Sequence, residues 1–109
     1  MEKSIVIGAL SALAQDTRLD IYRMLVQAGP DGLAAGRIGE QLGLPSATLA
    51  FHLKELKNAR LAHCTRHGRS QIYAAEYDTM NGLLAYLTEN CCGNASTNCQ
   101  PTTHAVKDS

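Results

Sequence analysis

Residues 33–75 read LAAGRIGEQLGLPSATLAFHLKELKNARLAHCTRHGRSQIYAA, and the order of signals within them decides the fold. Residues 34–42 carry Ile38 and Leu42 in a short helical pattern. Gly43 follows at the position after a helix where a left-handed backbone is wanted. Leu44-Pro45 completes a turn, and Ser46 is expected to cap a longer helix over 46–60. Leu49, Leu53 and Leu56 fall at i, i+4 and i+7, so they should face inward. Residues 61–66 and 71–75 then read as strands joined by His67-Gly68-Arg69-Ser70, a hairpin signal.

Outward from this stretch the chain is helical on both sides. Residues 3–14 are apolar on most faces and need cover on several sides. Asp16 is expected to cap a helix over 17–28, which Gly29-Pro30-Asp31-Gly32 breaks. A last helix over 77–91 places Met80, Leu83, Leu84 and Leu87 on one stripe, with Asp78 near its positive end. Two short helices joined by a tight glycine turn are a helix-turn-helix. The expected fold class is therefore mainly α with a β-hairpin wing, a winged helix-turn-helix of order α-α-α-α-β-β-α. The folded domain should span 1–92, with 93–109 as a polar tail poor in apolar residues. At 109 residues the core is small, so a second copy of the chain is a natural cover for the first helix.

Formal net charge is zero, but the charges are unevenly placed. Five of the ten basic residues lie between Lys54 and Arg69, and Glu55 is the lone acid across 44–75. A basic patch on a helix-turn-helix points to DNA. The helix over 46–60 is sized for the major groove. Its outward residues are Ser46, Ala47, Thr48, Ala50, Phe51, His52, Lys54 and Lys57. Ser46 and Thr48 suit base edges or phosphates; Ala47, Ala50 and Phe51 suit a thymine methyl. Lys54 and Lys57 suit phosphates, which set affinity and register. Arg66 and Arg69 on the wing can reach the adjacent minor groove or its phosphates. The set lacks the Arg, Asn or Gln that read bases most strongly, so DNA shape and half-site spacing should share in specificity.

Three runs in this chain resemble the ArsR/SmtB family of metal-responsive repressors. Ala12-Leu13-Ala14-Gln15-Asp16-Thr17-Arg18-Leu19 is similar to its opening motif. Leu49-Ala50-Phe51-His52-Leu53-Lys54-Glu55-Leu56 is similar to its recognition-helix signature, with Ala50 where Ser is usual. Arg66-His67-Gly68-Arg69-Ser70-Gln71-Ile72-Tyr73 is similar to its wing. The resemblance covers roughly 5–90. It implies a homodimer, held by the first and last helices, that blocks operator DNA until a metal or metalloid binds.

The N-terminal apolar run, Ile5 to Ala14, is too short to span a membrane and continues into a helical pattern, so the chain is expected to be cytoplasmic. Thiols stay reduced there, which favours metal ligation over disulfides. The segment before the recognition helix has no Cys, and the last helix has no His, so two effector sites known in the family are unsupported. Cys91, Cys92 and Cys99 remain: three of the four cysteines within nine residues. Neighbouring α-carbons are about 3.8 Å apart, so two adjacent thiols can grip one soft ion. Gly93 and the polar run after it let Cys99 join. Three thiolates neutralise As(III) and match its three-coordinate pyramid, whereas zinc usually closes a tetrahedron. The arsenic-responsive branch includes members with a similar C-terminal cysteine arrangement. As(III) is thus the expected inducer. Sb(III), Cd(II), Zn(II) or thiol oxidation are the alternatives, with His104 as a possible fourth ligand. Cys64, on the first hairpin strand, reads as core or half-buried. A thiol enzyme or metalloid buffer would leave 33–75 without a purpose, so no enzymatic activity is expected.

Overall fold

The computed structural model of the chain describes residues 1–91. Its elements are α1 (Lys3–Leu13), α2 (Asp16–Ala28), β1 (Leu33–Ala34), α3 (Ala35–Leu42), α4 (Ser46–Asn58), β2 (Ala62–His67), β3 (Ser70–Ala75) and α5 (Tyr77–Leu87). The tail expected over 93–109 lies outside the described residues. The helix-helix-hairpin order holds, and β1 is an addition. Two residues are too few to display a strand's period of two, so nothing in the sequence marks it.

Local chemistry explains the boundaries. Gln15, not Asp16, caps α2: its side-chain oxygen accepts from the Arg18 backbone N–H at 2.8 Å. Asp16 is then the first helical residue, where a carboxylate suits the helix dipole. Pro45 rather than Ser46 precedes α4, with φ −62°, and no side chain caps that helix. Its fixed φ leads directly into the first turn. Gly43 takes φ 64° as expected, and the Leu44 N–H donates to the Gly39 carbonyl at 3.0 Å. α4 closes the same way but on an arginine. Arg60 has φ 65°, its N–H donates to the Lys57 carbonyl, and the Leu61 N–H donates to the Leu56 carbonyl. That double bond pattern is a Schellman motif, and it ends the helix two residues earlier than the expected 60. α5 stops at Leu87 rather than 91, and Asn90 is left-handed at φ 57°.

The sheet has the order β1-β3-β2, with both pairings antiparallel. The hairpin turns on Gly68 (φ 62°) and Arg69 alone, since His67 pairs with Ser70. Glycine first in a two-residue loop fits the twist of the flanking strands. Leu33 opposite Tyr73 ties the hairpin back to the N-terminal half. The core collects Val6, Ala9, Ile21, Leu25, Ile38, Leu49, Leu53, Leu56, Leu61 and Leu83 from all five helices and the start of the wing. Cys64 is half-buried against this core, as its alternating strand position implies.

Two residues of the fold give direct tests. Gly32 enters β1 at φ 74°, and a Cβ there would stand 2.4 Å from the Tyr73 carbonyl oxygen. Gly32→Ala should cost about 2 kcal/mol or more, read as a lowered urea midpoint at unchanged slope. Tyr22 is 5% exposed, and its hydroxyl has no hydrogen-bond partner among the described residues. Tyr22→Phe should therefore be neutral or stabilising, by up to about 1–3 kcal/mol, in the same measurement. Burial, then Tyr77, pushes the Tyr22 phenol above its ordinary 10.0. Burial, then Cys64, does the same for Tyr73. Both phenols thus support folding below pH 10.0, and that support is lost as pH rises through their raised values. The alkaline decline in stability should be shallower in Tyr22→Phe and should not vanish, because Tyr73 remains.

Candidate nucleic-acid interface

α4 offers a continuous outer face because its inner face is fully committed. Leu49, Leu53 and Leu56 are buried, as their spacing requires. Ser46, Ala47, Thr48, Ala50, Lys54 and Lys57 are all exposed on the remaining surface. Phe51 stands out at 55% exposure, a large ring left in water. Gly39 on α3 faces α4 so closely that a Cβ would lie 3.2 Å from Leu49. The two helices of the turn are therefore packed tightly at their crossing, which fixes how far α4 projects.

The wing extends the same charged surface. Arg66 and Arg69 are exposed at the outer end of the hairpin. Together with Ala35, Gly36 and Gln71 they border an open groove of about 450 Å³ between the wing and the start of α3. α3 has no side-chain cap and no acid in its first turn. Guanidinium groups and uncapped backbone N–H groups are both complementary to phosphate oxygens.

His52 behaves differently from the other expected DNA-facing residues. It is half-buried, and its Nδ1 lies 3.2 Å from the Arg18 guanidinium. Its ring meets the Phe51 ring edge-on at 5.4 Å between centroids. His63, also in the basic stretch, pairs with Glu76 at 3.4 Å, with both side chains well exposed. The sequence reading assigned Arg18 no part in this region. Its place thirty-four residues before His52 gives no local signal of contact.

Of the expected thiol site, Cys91 is described, and Cys92 and Cys99 lie outside the described residues. The Cys91 N–H donates to the Thr88 carbonyl at 3.1 Å, the bond of a 3₁₀ turn after α5. Among the described residues no group of three or more His, Cys, Asp or Glu side chains could hold a metal ion. Among the same residues no helix is long and apolar enough to cross a membrane.

Comparison with known proteins bears on this geometry. Residues 13–65 match a family model described as a helix-turn-helix domain. The chain is 30% identical over 73 residues to YceK of Bacillus subtilis, an uncharacterised HTH-type transcriptional regulator, covering 67% of this chain and 72% of that one. It is similar to the homodimeric winged helix-turn-helix DNA-binding domain of Mb0332 from Mycobacterium bovis, a possible ArsR-family regulator. There the identity is 26%, the TM-score 0.65, and the coverage 78% of this chain and 77% of that one. It shares its fold with an ArsR-like transcriptional regulator from Rhodococcus sp. RHA1, at 22% identity and TM-score 0.69, covering 95% of this chain and 91% of that one.

The charged residues of this face should declare themselves through salt. Alanine at Lys54, Lys57, Arg66 or Arg69 should each weaken DNA binding across sequences and reduce the slope of log K against log salt by about 1. Fluorescence anisotropy over a salt series measures that slope.

Proposed function

Because this chain belongs to the ArsR family of winged helix-turn-helix transcriptional regulators, we propose that it is an arsenite-responsive repressor acting as a homodimer on operator DNA. The observation that carries the DNA half of this reading is the outer face of α4, small and apolar at its start and cationic further on, flanked by the wing arginines. Ser46, Ala47, Thr48, Ala50 and Phe51 read the major groove. Lys54, Lys57, Arg66 and Arg69 hold phosphates.

Uncovered apolar surface supports the homodimer. Ile7 and Leu10 on α1 and Leu84 and Leu87 on α5 are exposed, the last two at 52% and 54%. Met1, just ahead of α1, lies against α5, since a Cβ on Gly82 would meet its side chain at 2.9 Å. Apolar side chains on two adjacent helices form a surface that a second copy of the same surface covers. The Mb0332 domain, of the same fold, is homodimeric. Two recognition helices held one helical turn of DNA apart then call for an inverted repeat.

Cys91, Cys92 and Cys99 form the inducer site, with As(III) bound by three thiolates and Sb(III) as a competitor of the same valence. The chemistry of the donor set supports this, as does the place of Cys91 just past a helix that has already ended. Ion binding at the end of α5 acts on the dimer surface that α5 shares, and so on the spacing of the recognition helices. Couplings between sites of this kind are about 1–3 kcal/mol, or roughly 5- to 150-fold in DNA affinity.

A gel shift with DNA from the protein's own promoter region tests the whole reading. The untreated chain should shift the fragment, and arsenite should release it. Cys91→Ser, Cys92→Ser and Cys99→Ser should each bind the fragment and ignore arsenite. A normal response in those variants places the sensor elsewhere, and no shift at all removes the repressor reading.

A further inference from the structure

Arg18 joins three parts of the chain that the sequence separates. Its Nε donates to the Ala12 carbonyl at the end of α1, at 2.9 Å. Its own backbone N–H is held by the Gln15 side chain at 2.8 Å, which sets the first turn of α2. Its NH1 lies 3.2 Å from His52 Nδ1, on α4. A guanidinium has only donors, so Nδ1 accepts this bond and the ring proton sits on Nε2. The same guanidinium stands 6.0 Å from the centre of the Phe51 ring, at the outer limit of a cation–π contact. His52 supports that ring from its edge.

This linkage stands where side-chain packing is weak. α1 and α4 flank an open cleft of about 330 Å³, bordered by Gly8, Ser11 and Ala12 on one side, Glu55, Asn58 and Ala59 on the other, and Arg18. The buried leucines fix the rotation of α4 but leave its Phe51 ring 55% exposed, so the attitude of that ring depends on its polar and aromatic neighbours. A planar guanidinium with donors in fixed directions, bonded to a carbonyl on one side and an imidazole on the other, supplies the missing constraint.

We propose that Arg18 is a positioning residue for DNA recognition: acting through His52, it sets the attitude of the Phe51 ring that meets the bases. The inference rests on the reading of α4 as the helix that enters the major groove. Non-specific binding is carried by Lys54, Lys57, Arg66 and Arg69, which Arg18 does not touch. Its loss therefore lowers discrimination between sequences and leaves affinity for arbitrary DNA nearly unchanged.

The test uses the full chain and a duplex of about 30 base pairs, long enough for two half-sites, that the wild-type chain enriches from a random pool. A scrambled duplex of equal length is the reference. Arg18→Ala and His52→Ala should each reduce the selected-to-scrambled affinity ratio about tenfold, the scale of one hydrogen bond to a charged group. The double variant should do no worse than either single one, because both remove the same linkage. Arg18→Lys, charged but unable to serve both acceptors, should behave like Arg18→Ala. His52→Asn, which returns an acceptor near the place of Nδ1, should recover most of the ratio. A purely structural role would lower both affinities together, in step with the melting temperature, and that result overturns the proposal. So does an unchanged ratio in Arg18→Ala, or additivity in the double variant. If the wild-type chain enriches no sequence at all, the DNA-recognition reading fails and takes this role with it. Enrichment by the wild type with an intact ratio in Arg18→Ala removes the role alone.

Discussion

The burial of Leu49, Leu53 and Leu56 is the constraint on which the rest of this structure depends. Fully burying each side chain is worth about 1.5–3 kcal/mol, and the three lie in one row, so α4 has a single strongly preferred rotation. That choice leaves His52 and Glu55 half-buried and every other remaining residue of the helix exposed, whatever its chemistry. A phenylalanine and two alanines face water here because the leucines do not. An exposed surface of mostly small and apolar groups is the consequence, with lysines only further along.

The wing is an extension of the same helix rather than a separate unit. The left-handed Arg60 closes α4 and turns the chain so that Leu61, fully buried, locks the start of the hairpin beneath it. β3 then carries Tyr73, Ala74 and Ala75 into the interior while the far end of the hairpin stays exposed. β1 completes the support from the other side through two backbone pairings. The hairpin is buried at its base and exposed at its tip, which suits a charged arm that reaches past the domain.

Polar groups supply what the small core does not. Beside an open cleft between α1 and α4, Arg18 ties the two helices with bonds to a carbonyl and an imidazole. On α1 and α5, Ile7, Leu10, Leu84 and Leu87 are left exposed to water. Both features follow from the size of the chain, which has too little apolar bulk to close every contact on its own.

Periodicity and turn chemistry by themselves determined the five helices, the hairpin, the left-handed Gly43 and the inward leucines. Each of these is a local pattern repeated over a helix turn or a strand pleat. Charge placement likewise picked out the exposed basic stretch that runs from α4 into the wing. Tertiary structure alone decided the rest. β1 exists because β3 lies beside it, and Gly32 is required because a carbonyl of β3 occupies the space a side chain would need. Gln15 displaced Asp16 as a cap because the longer amide reaches the third N–H, and Arg60 took a glycine's place because the Schellman bonds and Leu61 hold it there. His52 looked like one more residue of the reading face. The fold turned its nitrogen inward to an arginine thirty-four positions away, since contacts made across the core leave no trace in the spacing of either partner.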